Sequence, residues 1–274
     1  MKGSVLRAIW RALAYFALSL ALIWIQALAV IFNHPIAARL PVVYHRWCCR
    51  ILGLTLETHG QMSAERPTLF VANHTSYTDM TILGALIEGA FVGKREIASW
   101  PWFGVLAKLQ RTVFVDRTRR LAAGTQRDEM SVRLNGGENL ILFPEGTSHD
   151  GTHVLPFKSA LLAVAEREVN GRKIAVQPVT IAYRLLDGVP LGRIGRAMVA
   201  WYGDMGLAAH LMRLLGLGRL TISVAFHPTV TIDAFGSRKT LAEHCHQVIA
   251  DGLALALSGR DAVPGPVLAP PPQP

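Results

Sequence analysis

The chain has 274 residues, 51% of them hydrophobic and 17% charged, and its 28 Lys and Arg against 19 Asp and Glu give a formal charge of +9. An apolar, basic protein suits an anionic partner. Its scattered basic residues, without a helix-turn-helix, RNA-binding or zinc-finger pattern, argue against nucleic acid and favour a membrane. Three cysteines, two of them adjacent at Cys48 and Cys49, exclude a disulfide framework and a paired C-x-x-C metal site. His244, Cys245 and His246 would point about 100° apart on a helix and cannot converge on one ion, so no metal is expected.

Residues 12–32, ALAYFALSLALIWIQALAVIF, carry no formal charge and follow Lys2, Arg7 and Arg11. That run is long enough to cross a bilayer core of ~30 Å. An export signal competes, because Ala27, Leu28 and Ala29 resemble a cleavage triplet. Against it, the apolar run continues past that point, and Trp10, Trp24 and Trp47 read as interfacial anchors. Residues 36–52, IAARLPVVYHRWCCRIL, mix apolar and basic positions as an interface-lying helix does. The first helix therefore either spans or enters and returns to one face, and residues 1–55 are expected to be a membrane-associated helical segment.

Residues 56–260 are expected to form one α/β domain. Short apolar runs at 67–73, 89–93, 111–115, 139–143, 175–183 and 220–227 alternate with helical stretches at 77–87, 101–109, 119–135, 157–168, 206–216 and 238–257. The strand runs lack clean alternation, which suits strands covered on both faces. The expected architecture is a mostly parallel sheet flanked by helices. Residues 261–274 hold six prolines and are expected to be a disordered tail.

Polar residues gather where these apolar runs stop. LFVANHTSYTDM, residues 69–80, ends a strand and then presents His74 and Asp79. On one regular helix the two would sit roughly 140° apart and could not meet. If the helix begins near Ser76, His74 lies in the preceding turn and can fold back to Asp79, which would fix the ring tautomer and stabilise an imidazolium. The competing reading is a capping box formed by Ser76 and Asp79. NLILFPEGTSHDG, residues 139–151, holds Glu145 between Pro144 and Gly146 at another strand end. Lys158 near a helix start and Arg117 after a strand suit an anion. Asp204 and His210 are six apart and share no helical face.

Four ordered blocks, NHTSYTD (73–79), GKREIASWPWFGVLAKLQRTVFVDR (93–117), FPEGTSHDG (143–151) and VQPVTIAY (176–183), resemble the 1-acylglycerol-3-phosphate O-acyltransferases and related glycerolipid acyltransferases. The resemblance implies that His74 is the general base and Asp79 its partner. It implies an acceptor site built from Glu145, Gly146 and Thr147, with Arg117 on a phosphate and Lys94 as a further binding group; Lys158, outside the blocks, is a further candidate by its place near a helix start. It implies an enzyme of the cytoplasmic (inner) membrane, its site facing the cytoplasm, that moves an acyl group from acyl-CoA or acyl carrier protein to a lysophospholipid hydroxyl without a cofactor. The expected acceptor is 1-acyl-sn-glycerol-3-phosphate, giving phosphatidic acid. One departure stands out: the family commonly carries an arginine after FPEGT, associated with the acceptor phosphate, whereas Ser148 and His149 follow here. Either Arg117, Lys158 or Lys94 compensates, or the acceptor is lyso-ornithine lipid. A non-catalytic membrane scaffold is the alternative from another class.

Overall fold

The computed structural model describes residues 3–115, 123–169 and 171–260. Two antiparallel helices, α1 (Val5–Ile31) and α2 (Ile36–Leu52), lead into strand β1 (Leu54–Gly60). There follow β2 (Thr68–Ala72), α3 (Thr78–Leu86), β3 (Ala90–Lys94), α4 (Phe103–Leu109), β4 (Val113–Val115), α5 (Ala123–Asn135) and β5 (Leu140–Leu142). A ribbon of β6 (Glu168–Val169) and β7 (Arg172–Lys173) precedes the long β8 (Ala175–Leu186). The chain continues through β9 (Val189–Pro190), α6 (Arg193–Val199), α7 (Leu207–Gly216), β10 (Leu220–Phe226) and α8 (Arg238–Leu257).

The main sheet runs β1-β10-β8-β2-β5-β3-β4, with β9 beside β8. From β8 to β4 all neighbours are parallel, whereas β10 runs antiparallel to β8 and carries β1 parallel to itself. Strand β2 is buried along its whole length. Its side chains still alternate. Phe70 and Ala72 enter the layer of α1, α2, α3 and α7, while Leu69 and Val71 enter that of α5 and α8. Both faces are apolar because both are covered by helices, which is why the sequence shows no polar alternation there.

Helix α1 would span about 40 Å at 1.5 Å per residue, and it is apolar enough to cross a membrane by length and composition. It does not stand free of the domain. Ala8, Ser19, Gln26 and Ala29 are buried, and the helix packs on α2, α4 and α7. Its opposite face leaves Leu6, Trp10, Leu13, Leu20, Trp24 and Ile31 exposed at helical spacing. Arg11 is not a free flanking charge: Nη1 donates to Leu215 O at 3.1 Å and Leu217 O at 2.9 Å, capping the carbonyl end of α7.

Several elements differ from the sequence expectation. Strand β1 was not anticipated, because LTLETHG is an edge strand with half-exposed polar positions rather than an apolar run. The expected helix at 157–168 is a 3-10 helix, Ser159–Glu166, whose consecutive Leu162, Ala163, Val164 and Ala165 are all buried between α5 and α8. Arg117, the start of the expected 119–135 helix and the proline-rich tail lie outside the described residues.

Candidate active site

Strand β2 delivers the site. Just past its end, Asn73 bridges to β8: its Nδ2 donates to Ile181 O at 2.9 Å and its Oδ1 accepts from Ile181 N at 2.8 Å. The side chain thus continues the ladder where the backbone turns away, and the next residue, His74, is aimed off the sheet. α3 begins four residues later, so His74 lies in the turn before it and Asp79 in its first turn.

The two meet. His74 Nδ1 is 2.9 Å from Asp79 Oδ2, which holds the proton on Nδ1 and leaves Nε2 with a free lone pair. The same carboxylate oxygen accepts from the amides of Thr75 at 2.6 Å and Ser76 at 2.8 Å. Asp79 therefore both pairs with the imidazole and takes the amides at the helix start, while Ser76 Oγ makes no hydrogen bond, so a reciprocal capping box is not formed. Oδ1 accepts from the Tyr183 hydroxyl at 2.7 Å, and Thr78 Oγ1 lies 2.6 Å from that hydroxyl, so threonine donates to tyrosine and tyrosine to aspartate. Asp79 is 0% exposed. A buried charge is tolerable there because four donors surround it. The imidazole is fixed from its face as well, stacked on Phe143 with centroids 4.3 Å apart.

Glu145 sits beneath this pair. Its Oε1 accepts from His74 N at 2.6 Å and its Oε2 from Leu155 N at 2.8 Å. Both oxygens are thus engaged by backbone, and the side chain fastens the His74 turn to the loop after β5 rather than reaching into open space. Burial pushes its carboxyl up to about 8, partly countered by those two amides and reinforced by nearby Asp79. Gly146 adopts φ +74° in the turn that follows, a conformation that favours glycine. Its N–H is bonded to Phe143 O at 3.1 Å, which closes the turn.

The surrounding loops are laced together. His149 N donates to His74 O at 3.1 Å, Trp201 N donates to Thr75 O at 3.0 Å, and the Ser148 hydroxyl donates to Trp201 O. His210, which spacing alone dismissed, is buried with its Nδ1 3.0 Å from the Tyr77 hydroxyl.

His74, Gly146, Thr147 and Lys94 border one cavity of ≈ 370 Å³. It extends from the histidine between α1, α2 and α4, along apolar walls that include Leu22, Ile23, Leu40, Phe103 and Leu106. Lys158 is exposed and not part of that lining, and its backbone N–H bonds Pro144 O. The sequence reading missed Tyr183, Asn73 and Phe143, and it missed that α1 supplies a wall. Tyr183 closes the VQPVTIAY block, and a tyrosine ending a buried run was the available signal. A histidine with a buried carboxylate on one nitrogen and an apolar cavity at the other can take a proton from a hydroxyl held there.

The family model described as Acyltransferase matches residues 55–182. A "Lyso-ornithine lipid O-acyltransferase" of Brucella abortus is 41% identical, covering 90% of this chain and 94% of its own length. A protein of the same description from Rhizobium meliloti is 38% identical over 88% of the chain and 84% of its own length. A "1-acyl-sn-glycerol-3-phosphate acyltransferase" of Neisseria gonorrhoeae is 30% identical over 72% and 76%. The crystal structure of the 1-acyl-sn-glycerophosphate acyltransferase of Thermotoga maritima shares the fold, with a TM-score of 0.60 at 20% identity over 91% of this chain and 98% of that one. The chain is an acyltransferase and belongs to the family of 1-acylglycerol-3-phosphate O-acyltransferases and related glycerolipid acyltransferases.

Proposed function

We propose that this protein transfers a fatty acyl group from a thioester to the free hydroxyl of a lyso-ornithine lipid. The observation that carries the chemistry is the His74–Asp79 contact of 2.9 Å at the mouth of an apolar cavity. His74 Nε2 takes the hydroxyl proton as the oxygen attacks the thioester carbonyl, while Asp79 balances the imidazolium. Collapse of the tetrahedral adduct breaks the C–S bond, and the same proton passes to the departing thiolate. No covalent enzyme intermediate forms. The donor is acyl-CoA or acyl carrier protein, its chain lying between α1, α2 and α4.

Two observations favour the ornithine head group over glycerol phosphate. The relatives with that description match more of this chain at higher identity than those acting on 1-acylglycerol 3-phosphate. Ser148 and His149 also stand where a phosphate-associated arginine was expected. Production of phosphatidic acid is the second reading, favoured by the Neisseria relative. Offering purified protein both lysolipids with one labelled acyl thioester, and reading the products by mass spectrometry, separates them; phosphatidic acid as the main product would overturn the proposal.

The exposed stripe of α1 supports attachment to one leaflet, with α1 and α2 lying in the interface; that the domain lies on the cytoplasmic side of the inner membrane is part of the proposal. Lipid acceptor and acylated product then enter and leave sideways.

A further inference from the structure

The loop after Glu145 carries chemistry that the acyl transfer does not use. His149, Asp150 and His153 each offer a ligating atom, and the three atoms lie within 4.8 Å of one another. His149 Nδ1 is 2.9 Å from Asp150 Oδ1. That contact lacks hydrogen-bond geometry, so the nitrogen, shielded from water, has no hydrogen-bond partner. His153 Nδ1 is 3.9 Å from the same oxygen and 3.2 Å from Thr152 Oγ1. The two rings meet edge to face with centroids 4.1 Å apart.

Hydrogen bonding accounts for Asp150, which accepts from Thr152 N at 2.9 Å and from its hydroxyl at 2.6 Å. It accounts for His153 Nδ1 through Thr152 Oγ1 but not for His149, whose buried Nδ1 faces the carboxylate without a hydrogen bond. Metal coordination does. Ligand atoms bonded at 2.0–2.2 Å in a tetrahedron stand about 3.3–3.6 Å apart, and the observed 2.9 and 3.9 Å bracket that spacing. His153, with its side chain 59% exposed, is free to close the remaining gap.

We propose that His149, Asp150 and His153 bind one divalent transition-metal ion of the zinc class. Two imidazole nitrogens and one carboxylate oxygen select zinc, cobalt or nickel over magnesium and calcium, which prefer all-oxygen shells. Three protein ligands leave a fourth position for water or an anionic ligand. Thr152 holds the carboxylate by donating its amide and hydroxyl to the same Oδ1. The His149 amide holds the His74 carbonyl at 3.1 Å, so the ion stiffens the loop that adjoins the dyad while taking no part in proton transfer. Its two charges less the one of Asp150 leave a net positive charge there.

The test is metal binding itself, which does not depend on the acceptor lipid. Tag-free full-length protein in detergent is titrated with ZnCl2 by calorimetry, and its metal content is measured after desalting. One zinc per chain is expected, with affinity weakened at least about tenfold in His153→Ala and in Asp150→Asn, and without competition from magnesium. Cobalt should give visible absorption bands of a low-coordinate site, absent in His153→Ala. Circular dichroism and retained acyl transfer by His153→Ala show that the variant is folded. Absence of stoichiometric zinc, or equal binding by wild type and both variants, overturns the site.

Discussion

The hydroxyl of Tyr183 donates to Asp79 Oδ1 at 2.7 Å, on the side of the carboxylate opposite His74. Among the described residues the other donors to Asp79 reach Oδ2, so the tyrosine is what holds the second oxygen. Tyr183→Phe keeps the ring and removes that donor. A hydrogen bond to a charged group contributes ~1.5–3 kcal/mol, so kcat should fall roughly tenfold or more with KM little changed. Rates normalised to folded protein decide it: an unchanged kcat would make Tyr183 a packing residue only.

Removing either member of the dyad should stop acyl transfer, but the two losses differ in stability. His74→Ala leaves Asp79 its two amides and Tyr183, so the fold should hold while activity drops by about 10³-fold. Asp79→Asn puts an NH2 or a neutral carbonyl where three donors converge, leaving buried groups unpaired at ~1–3 kcal/mol each. Its melting temperature should therefore fall clearly below that of His74→Ala, as scanning calorimetry would report.

Glu145 makes stability depend on pH. In the unfolded chain its carboxyl ionises near 4.5, whereas burial holds it to about 8 in the folded protein. Between those values the native state binds more protons than the unfolded one, so stability falls as pH rises, by up to about 1.4 kcal/mol per pH unit from this group. Below pH 4.5 its contribution is complete. Gln at this position cannot accept both amides through oxygen, so Glu145→Gln should be less stable throughout but lack that slope. Melting temperatures from pH 5 to 9 for both proteins check this; parallel curves would contradict it.

The cavity wall on α1 should set chain length. Leu22→Trp adds bulk inside the apolar channel, so long-chain thioesters should lose at least about tenfold in kcat/KM while short-chain donors keep theirs. A donor series of increasing length, assayed with one acceptor, gives the answer. Equal losses at all lengths would show that the wall is not a chain site.

The alternating pattern of apolar strands and helices was readable because each element carries its own periodicity. His74 and Asp79 were readable because five residues separate them and a helix start lies between. Tyr183 was not, since it reaches Asp79 from 104 positions away and only the β2–β8 pairing brings them together. Glu145 was found at the right strand end, yet its orientation toward two backbone amides depends on how the loops cross. Strand β1 escaped because an edge strand with one covered face reads as polar, and the cavity escaped because its walls come from helices whose apolar residues looked like membrane contacts alone.

The Arg11 clasp on the end of α7 has a mechanical meaning. A flexible anchor would let the domain swing at varying heights above its lipid surface. On the proposed attachment to one leaflet, α1 bolted to the body through Leu215 and Leu217 would make the whole molecule ride as one rigid float. On the one-leaflet reading, the altitude of His74 over the bilayer is then set by the fold, and lipids of the wrong headgroup depth are sorted before any contact with the base.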